Sequence, residues 1–100
     1  MPTEGDALQE LGLTVGRVVA VEEHAGARAP SYLLTIDHGP GGRRECTIPR
    51  AGYEPEQLAG TQVVCAPSGD ELVVLAARSH AGGAVLVRPE RDVEDGSVVA

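Results

Sequence analysis

Apolar and polar positions alternate with a period of two in several short segments of the chain. In the clearest one, Tyr32, Leu34 and Ile36 alternate with more polar neighbours, as expected for an extended chain with one buried face. Similar runs rich in Val, Leu and Ile recur roughly every ten residues between Gly- and Pro-rich turns. They predict strands over residues 13 to 23, 31 to 39, 43 to 50, 61 to 66, 71 to 77 and 83 to 89.

The first predicted strand contains an isolated glycine, Gly16. A glycine inside a strand usually marks a bulge or a sharp bend, so we expect the irregularity of this strand at Gly16. The period of two places five residues of the strand on one face: Leu13, Val15, Arg17, Val19 and Val21.

Two segments have helical spacing instead. Residues 3 to 11 predict a short N-terminal helix ended by Gly12, and residues 51 to 60 predict one or two helical turns with Pro55 near the start. The last residues, 90 to 100, show no clear period, and we expect them to be loosely ordered or docked on a partner chain.

These elements predict an all-β protein with one domain over residues 1 to 100. Five or six short strands with one helix in the middle of the chain are typical of a small barrel. In an OB-fold the helix lies between strands three and four, which is where residues 51 to 60 fall. We therefore expect a five-stranded OB-fold barrel with an additional short N-terminal helix.

The charge is strongly acidic, with eight Arg, no Lys and fifteen Asp plus Glu, for a formal net charge of -7. Such a balance opposes non-specific binding of nucleic acid. The excess of acids is smaller in residues 1 to 50 than in residues 51 to 100, so any polyanion site is expected in the first half of the chain.

The cysteines and the lack of a membrane-spanning segment indicate the cellular compartment of the protein. Cys46 and Cys65 lie in apolar, strand-like runs without Cys-x-x-Cys spacing, which predicts small buried thiols. No segment has the roughly 20 apolar residues of a membrane span, and the N-terminus lacks the basic and apolar regions of a signal peptide. We expect a cytoplasmic protein with no membrane contact.

The sequence contains no recognisable catalytic or metal-binding pattern, so we expect a protein that is not an enzyme and that needs no cofactor. His24, His38 and His80 are scattered without ligand spacing, and no Ser or Cys lies in a nucleophile motif. The pair Asp37 and His38 is interpreted as a solvated strand end rather than a catalytic dyad.

Beyond these patterns, the chain resembles the tRNA-binding OB-fold family. The resemblance is carried by residues 15 to 39 (VGRVVAVEEHAGARAPSYLLTIDHG), by residues 54 to 66 (EPEQLAGTQVVCA) and by residues 71 to 77 and 87 to 99. Among its members the chain is most similar to the stand-alone CsaA type, whose dimer-forming tail resembles Pro89 to Gly96. This implies a homodimer that binds tRNA or another structured RNA. The alternative is a chaperone or export factor that binds unfolded polypeptide.

The resemblance implies that RNA contacts the face of strands two and three and the loops beside it. Arginine suits phosphate because its planar guanidinium presents several donors and stays charged, and tyrosine can stack on a base. Compared with the family, the segment Pro67 to Asp70 is short, which predicts fewer contacts with RNA. The predicted RNA-binding residues are Arg28, Arg43, Arg44, Arg50, Tyr32, Tyr53 and Ser68.

Overall fold

The structure is a computed structural model that describes residues 9–26, 28–80 and 83–100. These residues contain seven strands, one complete α-helix, one 3-10 turn and two further helical residues, Gln9 and Glu10. In chain order they are β1 (Thr14–Glu23), β2 (Ser31–Asp37), the 3-10 turn (Gly39–Gly41), β3 (Arg43–Pro49), α1 (Pro55–Leu58), β4 (Gln62–Ser68), β5 (Glu71–Val74), β6 (Ala76–Arg78) and β7 (Ala84–Leu86).

Five of the strands form one antiparallel sheet in the order β3-β2-β1-β4-β5. The sheet curls, so its two edge strands, β3 and β5, lie close to each other. In the described part of the chain no hydrogen-bonded pairing joins these two edges. The all-β class and the five strands are therefore confirmed, while a closed barrel stays a prediction.

The core lies on the concave side of this sheet and is aliphatic. On β2 the predicted alternation is confirmed, because Tyr32, Leu34 and Ile36 are at most 3 % exposed. Leu58 of α1 is fully buried, and the residues after it hold the helix to β1, where the Gly60 N–H donates to the Val18 carbonyl (2.7 Å). Other core residues are Val18, Cys46, Ile48, Val63, Cys65, Leu72 and Val74.

The irregularity of β1 lies at Val19 and not, as predicted, at Gly16. Val18 pairs with Ile36 and Ala20 with Thr35, so Val19 is the extra residue of a bulge. Val18 is fully buried and Val19 is 39 % exposed, so Val18 faces the core and Val19 points outward. Gly16 is needed for close approach instead, because a Cβ atom there would collide with the Ile36 side chain.

The C-terminal segment is docked on its own chain, which corrects the prediction for residues 90 to 100. Gly96 donates to the Val15 carbonyl (2.7 Å), Val15 donates to Ser97 (2.9 Å), and Val99 donates to Leu13 (2.9 Å). β2 pairs with β1 only from Arg17 onward. Residues 96–99 therefore take the place beside the start of β1 that β2 leaves open.

The remaining predicted elements differ mainly in length. The predicted strand over residues 71 to 77 is divided at Leu75 into β5 and β6. The helix predicted over residues 3 to 11 falls mostly on residues 1–8, which lie outside the described residues; Gln9 and Glu10 are helical. No helix among the described residues is long and apolar enough to cross a membrane.

Candidate binding groove

The predicted basic residues do not form one cluster. Arg28 lies in the loop between β1 and β2, and the backbone N–H of Arg50 donates to the Pro30 carbonyl of the same loop (3.2 Å). Arg43 and Arg44 lie at the other end of β3, about 20 Å away at the usual rise per residue of a strand. The set therefore divides into two pairs at opposite ends of one strand.

Arg43 and Arg44 also point to opposite faces of the sheet, as neighbours in a strand must. Arg43 lies on the outer face, where its Nε is 3.8 Å from the Asp37 carboxylate. Arg44 lies on the face of the buried Cys46, and its guanidinium donates to the backbone carbonyl of Asp70 (2.9 Å). Among the ion pairs of the described residues none includes Arg44.

Tyr32 is a core residue, and the predicted role of base stacking does not fit it. Its ring is 3 % exposed, and its hydroxyl donates to the Tyr53 carbonyl (2.8 Å). The Arg50 guanidinium, which is paired with Glu23, lies 5.2 Å from the ring centroid. Arg50 therefore caps the tyrosine by a cation–π contact.

Tyr53 joins the loop before α1 to the β6–β7 hairpin. Its hydroxyl accepts a hydrogen bond from the Leu86 N–H of β7 (3.1 Å), and the Arg88 guanidinium is 5.8 Å from its ring centroid. The ring is half-buried and packs against the core. These contacts give Tyr53 a structural role in this conformation.

Ser68 lies where predicted, at the exposed tip of the short segment before β5. It pairs with Glu71 across a loop of two residues, Gly69 and Asp70, in which Gly69 has a φ of 62°. Because Arg44 bonds the Asp70 carbonyl, this hairpin tip and the start of β3 meet. Ser68 and Arg44, together with Arg43, are thus the predicted residues that lie at this end of the sheet.

A groove of about 680 Å³ lies between β3 and β5. Its volume is within the usual range for ligand sites. Strands β3 and β5 are the edges of the sheet, and on the groove side neither has a hydrogen-bonded neighbour among the described residues. The groove is lined by Leu33, Arg44, Glu45, Cys46, Thr47, Ile48, Pro49, Asp70, Glu71, Leu72, Val73 and Val74.

The outer face beside the groove is more acidic than basic. On β2, β3 and β5 the side chains that point outward include one arginine, Arg43, and three carboxylates, Asp37, Glu45 and Glu71. Arg43 already faces Asp37 across the β2–β3 register. A phosphate backbone on this face would therefore meet net negative charge, whereas a neutral or cationic segment would not.

The two cysteines lie under the sheet and remain free thiols. Burial raises the pKa of the Cys65 thiol to about 12, and the nearby Cys46 adds to the shift. Burial also raises the pKa of Cys46, helped by the charge of Glu71 and opposed by the backbone of Val74. Neither thiol is suited to act as a nucleophile at neutral pH.

The sequence analysis did not find the groove, because its residues share no motif. The shortness of β5 and the exposure of the apolar Val73 (41 %) appear only in the structure, since the sequence predicted one continuous strand over residues 71 to 77. The described residues contain no group of three or more His, Cys, Asp or Glu that could hold a metal ion.

Similar solved structures are found over the whole chain, although no protein-family model matches it. The CsaA chaperone of Bacillus anthracis str. Ames is 28 % identical over 100 % of both chains, with a TM-score of 0.82. The CsaA chaperone protein of Picrophilus torridus is 24 % identical over 100 % of both chains, with a TM-score of 0.84. A MetRS related protein of Pyrococcus horikoshii is 19 % identical over 100 % of this chain and 99 % of its own, with a TM-score of 0.77. The chain has a CsaA-like fold.

Proposed function

We propose that this protein is a CsaA-like chaperone that binds extended polypeptide in the groove between β3 and β5. The observation that carries the proposal is the pair of unpaired strand edges that face each other across this groove. An extended segment can add to such an edge through main-chain hydrogen bonds, which do not depend on the sequence of the client. Two structural neighbours with chaperone in their names, one of them 28 % identical, support it.

The length of the edges sets the size of the bound segment. β5 has four residues, so a segment of about four residues, roughly 13 Å long, matches it. Some Cα atoms of β3 and β5 lie within 8 Å of each other, whereas a strand inserted between them would need about 9.6 Å. A client segment is therefore expected to add along one of the two edges, and we infer that the sheet is an OB-type barrel with this seam as its binding site.

The charges around the groove indicate which clients bind best. Glu45, Asp70 and Glu71 line it on both sides, and the whole chain has a formal net charge of -7. Leu33 and Val73 add apolar surface. Segments that combine apolar residues with Lys or Arg are therefore the expected clients, since both the hydrophobic contact and the charge favour them.

The test substitutes one residue that lines the groove and, as a control, one residue of similar exposure outside it. Val73 (41 % exposed) lies in the groove, and Val19 (39 % exposed) lies on the β1 bulge. Val73→Asp is expected to weaken binding of a labelled apolar peptide without charged side chains by at least about tenfold, since placing a carboxylate against an apolar segment costs more than about 1.4 kcal/mol. Val19→Asp should leave binding unchanged.

The same two variants are compared for suppression of aggregation of thermally unfolded citrate synthase, followed by light scattering at equimolar protein. Protection by the wild type that is lost in Val73→Asp and kept in Val19→Asp supports the groove. Equal protection by all three proteins, or none by the wild type, contradicts the proposal.

Binding of tRNA or another structured RNA is the second candidate. The observation that favours it is Arg44, a guanidinium at the mouth of the groove without a carboxylate partner among the described residues, together with the exposed Arg43 and Arg28. Titration of bulk tRNA at low and near-physiological salt tests it, with the Arg43→Ala/Arg44→Ala double variant as control. Binding that weakens steeply with salt and is lost in the variant would support RNA as the ligand.

Three further parts of the proposal concern the state of the protein in the cell. We propose that it is a homodimer, that it acts in the cytoplasm and that it binds without catalysing a reaction. The two free buried thiols support a reducing compartment. Exposed apolar residues near the chain ends, Leu11 (57 %) and Val98 (64 %), support self-association.

A further inference from the structure

One edge of strand β6 carries backbone groups without a partner among the described residues. The strand pairs antiparallel with β7, and the Leu75 carbonyl just before it accepts from the Val87 N–H (3.0 Å). Hydrogen-bonded positions alternate along such a pair, so the next residue that bonds β7 is Ala77. The N–H and C=O groups of Ala76 and Arg78 therefore point away from β7.

The outer edge of β7, by contrast, is covered. Its Leu86 N–H donates to the Tyr53 hydroxyl (3.1 Å), and the Val87 carbonyl accepts from the Val64 N–H of β4 (3.0 Å). Proteins usually protect strand edges, because an open edge pairs with other chains. Two of the three residues of β6 are alanines, and all three are exposed. β6 is therefore the unprotected edge of this hairpin.

The free edge of β6 continues the edge of β5 that faces the groove. At Leu75, between the two strands, the N–H donates to the Val64 carbonyl of β4 (2.9 Å) and the C=O accepts from β7. Both groups of one residue in an extended chain point the same way, so β4 and β7 lie on the same side of Leu75. The bond between Val64 and Val87 agrees with this arrangement. The opposite side faces the groove along β5 and solvent along β6.

The two parts of this edge differ in the space beside them. Along β5 the opposite strand is close, because some Cα atoms of β3 and β5 lie within 8 Å and Arg44 donates to the Asp70 carbonyl across the seam (2.9 Å). An added strand needs about 4.8 Å to the neighbour on each side. Along β6 all residues are exposed, so a client segment has room there to form main-chain hydrogen bonds. Strand addition is therefore expected on β6 rather than on β5.

Apolar side chains lie beside the β6 edge. Val85 of β7 is directly opposite Ala77 in the register, so their side chains share one face, and Val87 follows on the same face. Val85 is 53 % exposed and Val87 is 38 % exposed. A client side chain opposite Ala77 would cover part of this face. The face therefore favours apolar residues at every second position of the client.

The charge at the end of the edge favours a client segment over a second copy of the protein. Two identical β6 strands paired about a two-fold axis at Ala77 would place their Arg78 side chains on one face, about 7 to 8 Å apart. Like charges so placed repel, and the ion pairs of the described residues include no carboxylate for Arg78. An unfolded segment with a neutral or acidic residue at this position meets no such repulsion.

We propose that the edge of β6 is the place where an extended client segment adds as a strand, with apolar residues at every second position and a neutral or acidic residue beside Arg78. This inference rests on the proposed chaperone function, and it assigns the main-chain bonds of the client to β6 rather than to β3 or β5. The part of the client that continues into the groove is held there through side-chain contacts.

The test measures binding of the fluorescein-labelled peptide Thr-Val-Ser-Leu-Thr-Val-Ser-Leu by fluorescence anisotropy. Ala76→Pro removes one N–H of the edge and no bond to β7, because this N–H points away from β7. The variant should bind the peptide about tenfold more weakly than the wild type, since it loses a main-chain bond and blocks the edge.

The matched control is Thr47→Pro on the β3 edge. The Arg50 N–H donates to the Pro30 carbonyl (3.2 Å), and the alternation along β2 and β3 then makes the Thr47 N–H point away from β2. This variant also removes an edge N–H and should bind as the wild type does. If Ala76→Pro does not fold, Ala77→Asp takes its place against Thr47→Asp, with the same expected difference.

Methylated peptides check the main-chain bonds without altering the protein. In an added strand the N–H groups of every second residue face the edge. One version of the peptide carries N-methyl groups on its Val and Leu residues, and the other carries them on its Thr and Ser residues. Only one of the two versions should lose binding, by about tenfold or more, since the methyl groups of the other point away from β6.

Other outcomes would overturn the inference. If Thr47→Pro weakens binding and Ala76→Pro does not, the client adds at β3, and the proposed function stands without this inference. If the two methylated peptides bind equally, the client is not held as a strand. If sedimentation equilibrium shows that Ala76→Pro converts a dimeric wild type into a monomer, a second copy occupies the edge. A wild type that binds no peptide contradicts the proposed chaperone function and this inference together.

Discussion

The buried histidine His38 makes the stability of this fold depend on pH. The pKa of His38 is lowered from 6.5 by burial and by Arg44, with Asp37 and Asp95 opposing. In the unfolded chain the imidazole binds a proton near pH 6.5, whereas in the folded protein it does so only at a lower pH. The unfolded state thus binds more protons in this interval, and the free energy of unfolding must fall as the pH is lowered through it.

We therefore expect the wild type to lose stability between pH 7.5 and the lower pKa of folded His38, with no loss from this residue above pH 7.5. Urea unfolding at several pH values, compared with His38→Leu, checks this. The variant lacks the titrating group, so the difference between the two curves should change over this interval. Parallel curves would contradict the assignment of a lowered pKa to His38.

The sequence analysis was least accurate for side chains whose contacts lie far away in the sequence. Tyr32 was predicted to stack on a base, yet it is buried and its hydroxyl donates to the Tyr53 carbonyl. The hydroxyl of the half-buried Tyr53 accepts from the Leu86 N–H, and stacking on a base stays a prediction for this residue. His38 was expected in solvent, because a strand end next to a glycine-rich turn usually is. Its burial depends on Gly16 and Gly96, which are far away in the sequence.

At the scale of elements, the C-terminal segment is fixed by one buried amide. Gln62 of β4 is 3 % exposed; its Nε2 donates to the Val93 carbonyl (2.6 Å) and to Asp95 (2.8 Å), and its Oε1 accepts from the Val93 N–H (2.9 Å). The amide thus satisfies both backbone groups of Val93. Arg17 adds a bond to the same Asp95 carboxylate (3.2 Å).

Gln62→Ala is expected to destabilise the protein by about 2 kcal/mol, because it leaves buried polar groups of Val93 and Asp95 without partners. Urea unfolding measures the loss, and faster amide exchange at Gly96 and Val99 would show that the segment detaches. The control is Gln57→Ala, which removes one exposed bond to the Glu54 N–H (2.7 Å) and should cost about 0.5 kcal/mol. Equal losses in both variants would mean that Gln62 does not anchor the segment.

The elements themselves were predictable where a local rule determines them. Alternation fixed the buried face of β2, and the Gly–Asp loop agrees with a tight β4–β5 hairpin. The bulge at Val19 was not predictable, because it depends on how β1 pairs with two different strands. Pairing of residues 96–99 with β1 was missed for a similar reason: the segment has no period of its own, and β1 provides its partners.

At the scale of the whole molecule, charge and topology favour different ligands, which is why the sequence alone left the function open. The arginines suggest a polyanion, but the fold distributes them over two ends and two faces and places carboxylates among them. The open seam between β3 and β5 appears only once the sheet is formed. The proposed function therefore depends on an arrangement of strand edges more than on a set of residues.

The same topology leaves an apolar surface at the chain ends, where a second copy is expected to bind. Val98 bridges to Thr14, and the bonds of this pairing are made by Ser97 and Val99, so the N–H and C=O of Val98 point away from β1. Val98 is 64 % exposed, and Leu11 is 57 % exposed. A free strand edge with apolar side chains is suited to pairing with an identical edge about a two-fold axis.

We expect sedimentation equilibrium to give the mass of a dimer for the wild type and that of a monomer for Val98→Asp, because an identical carboxylate from each copy would be brought into the contact. Val85→Asp is the matched control, since Val85 is exposed to a similar degree (53 %) on β7. If both variants remain dimeric, the contact lies elsewhere on the molecule. A monomeric wild type would contradict the proposed homodimer, and avidity would then play no part in the proposed client binding.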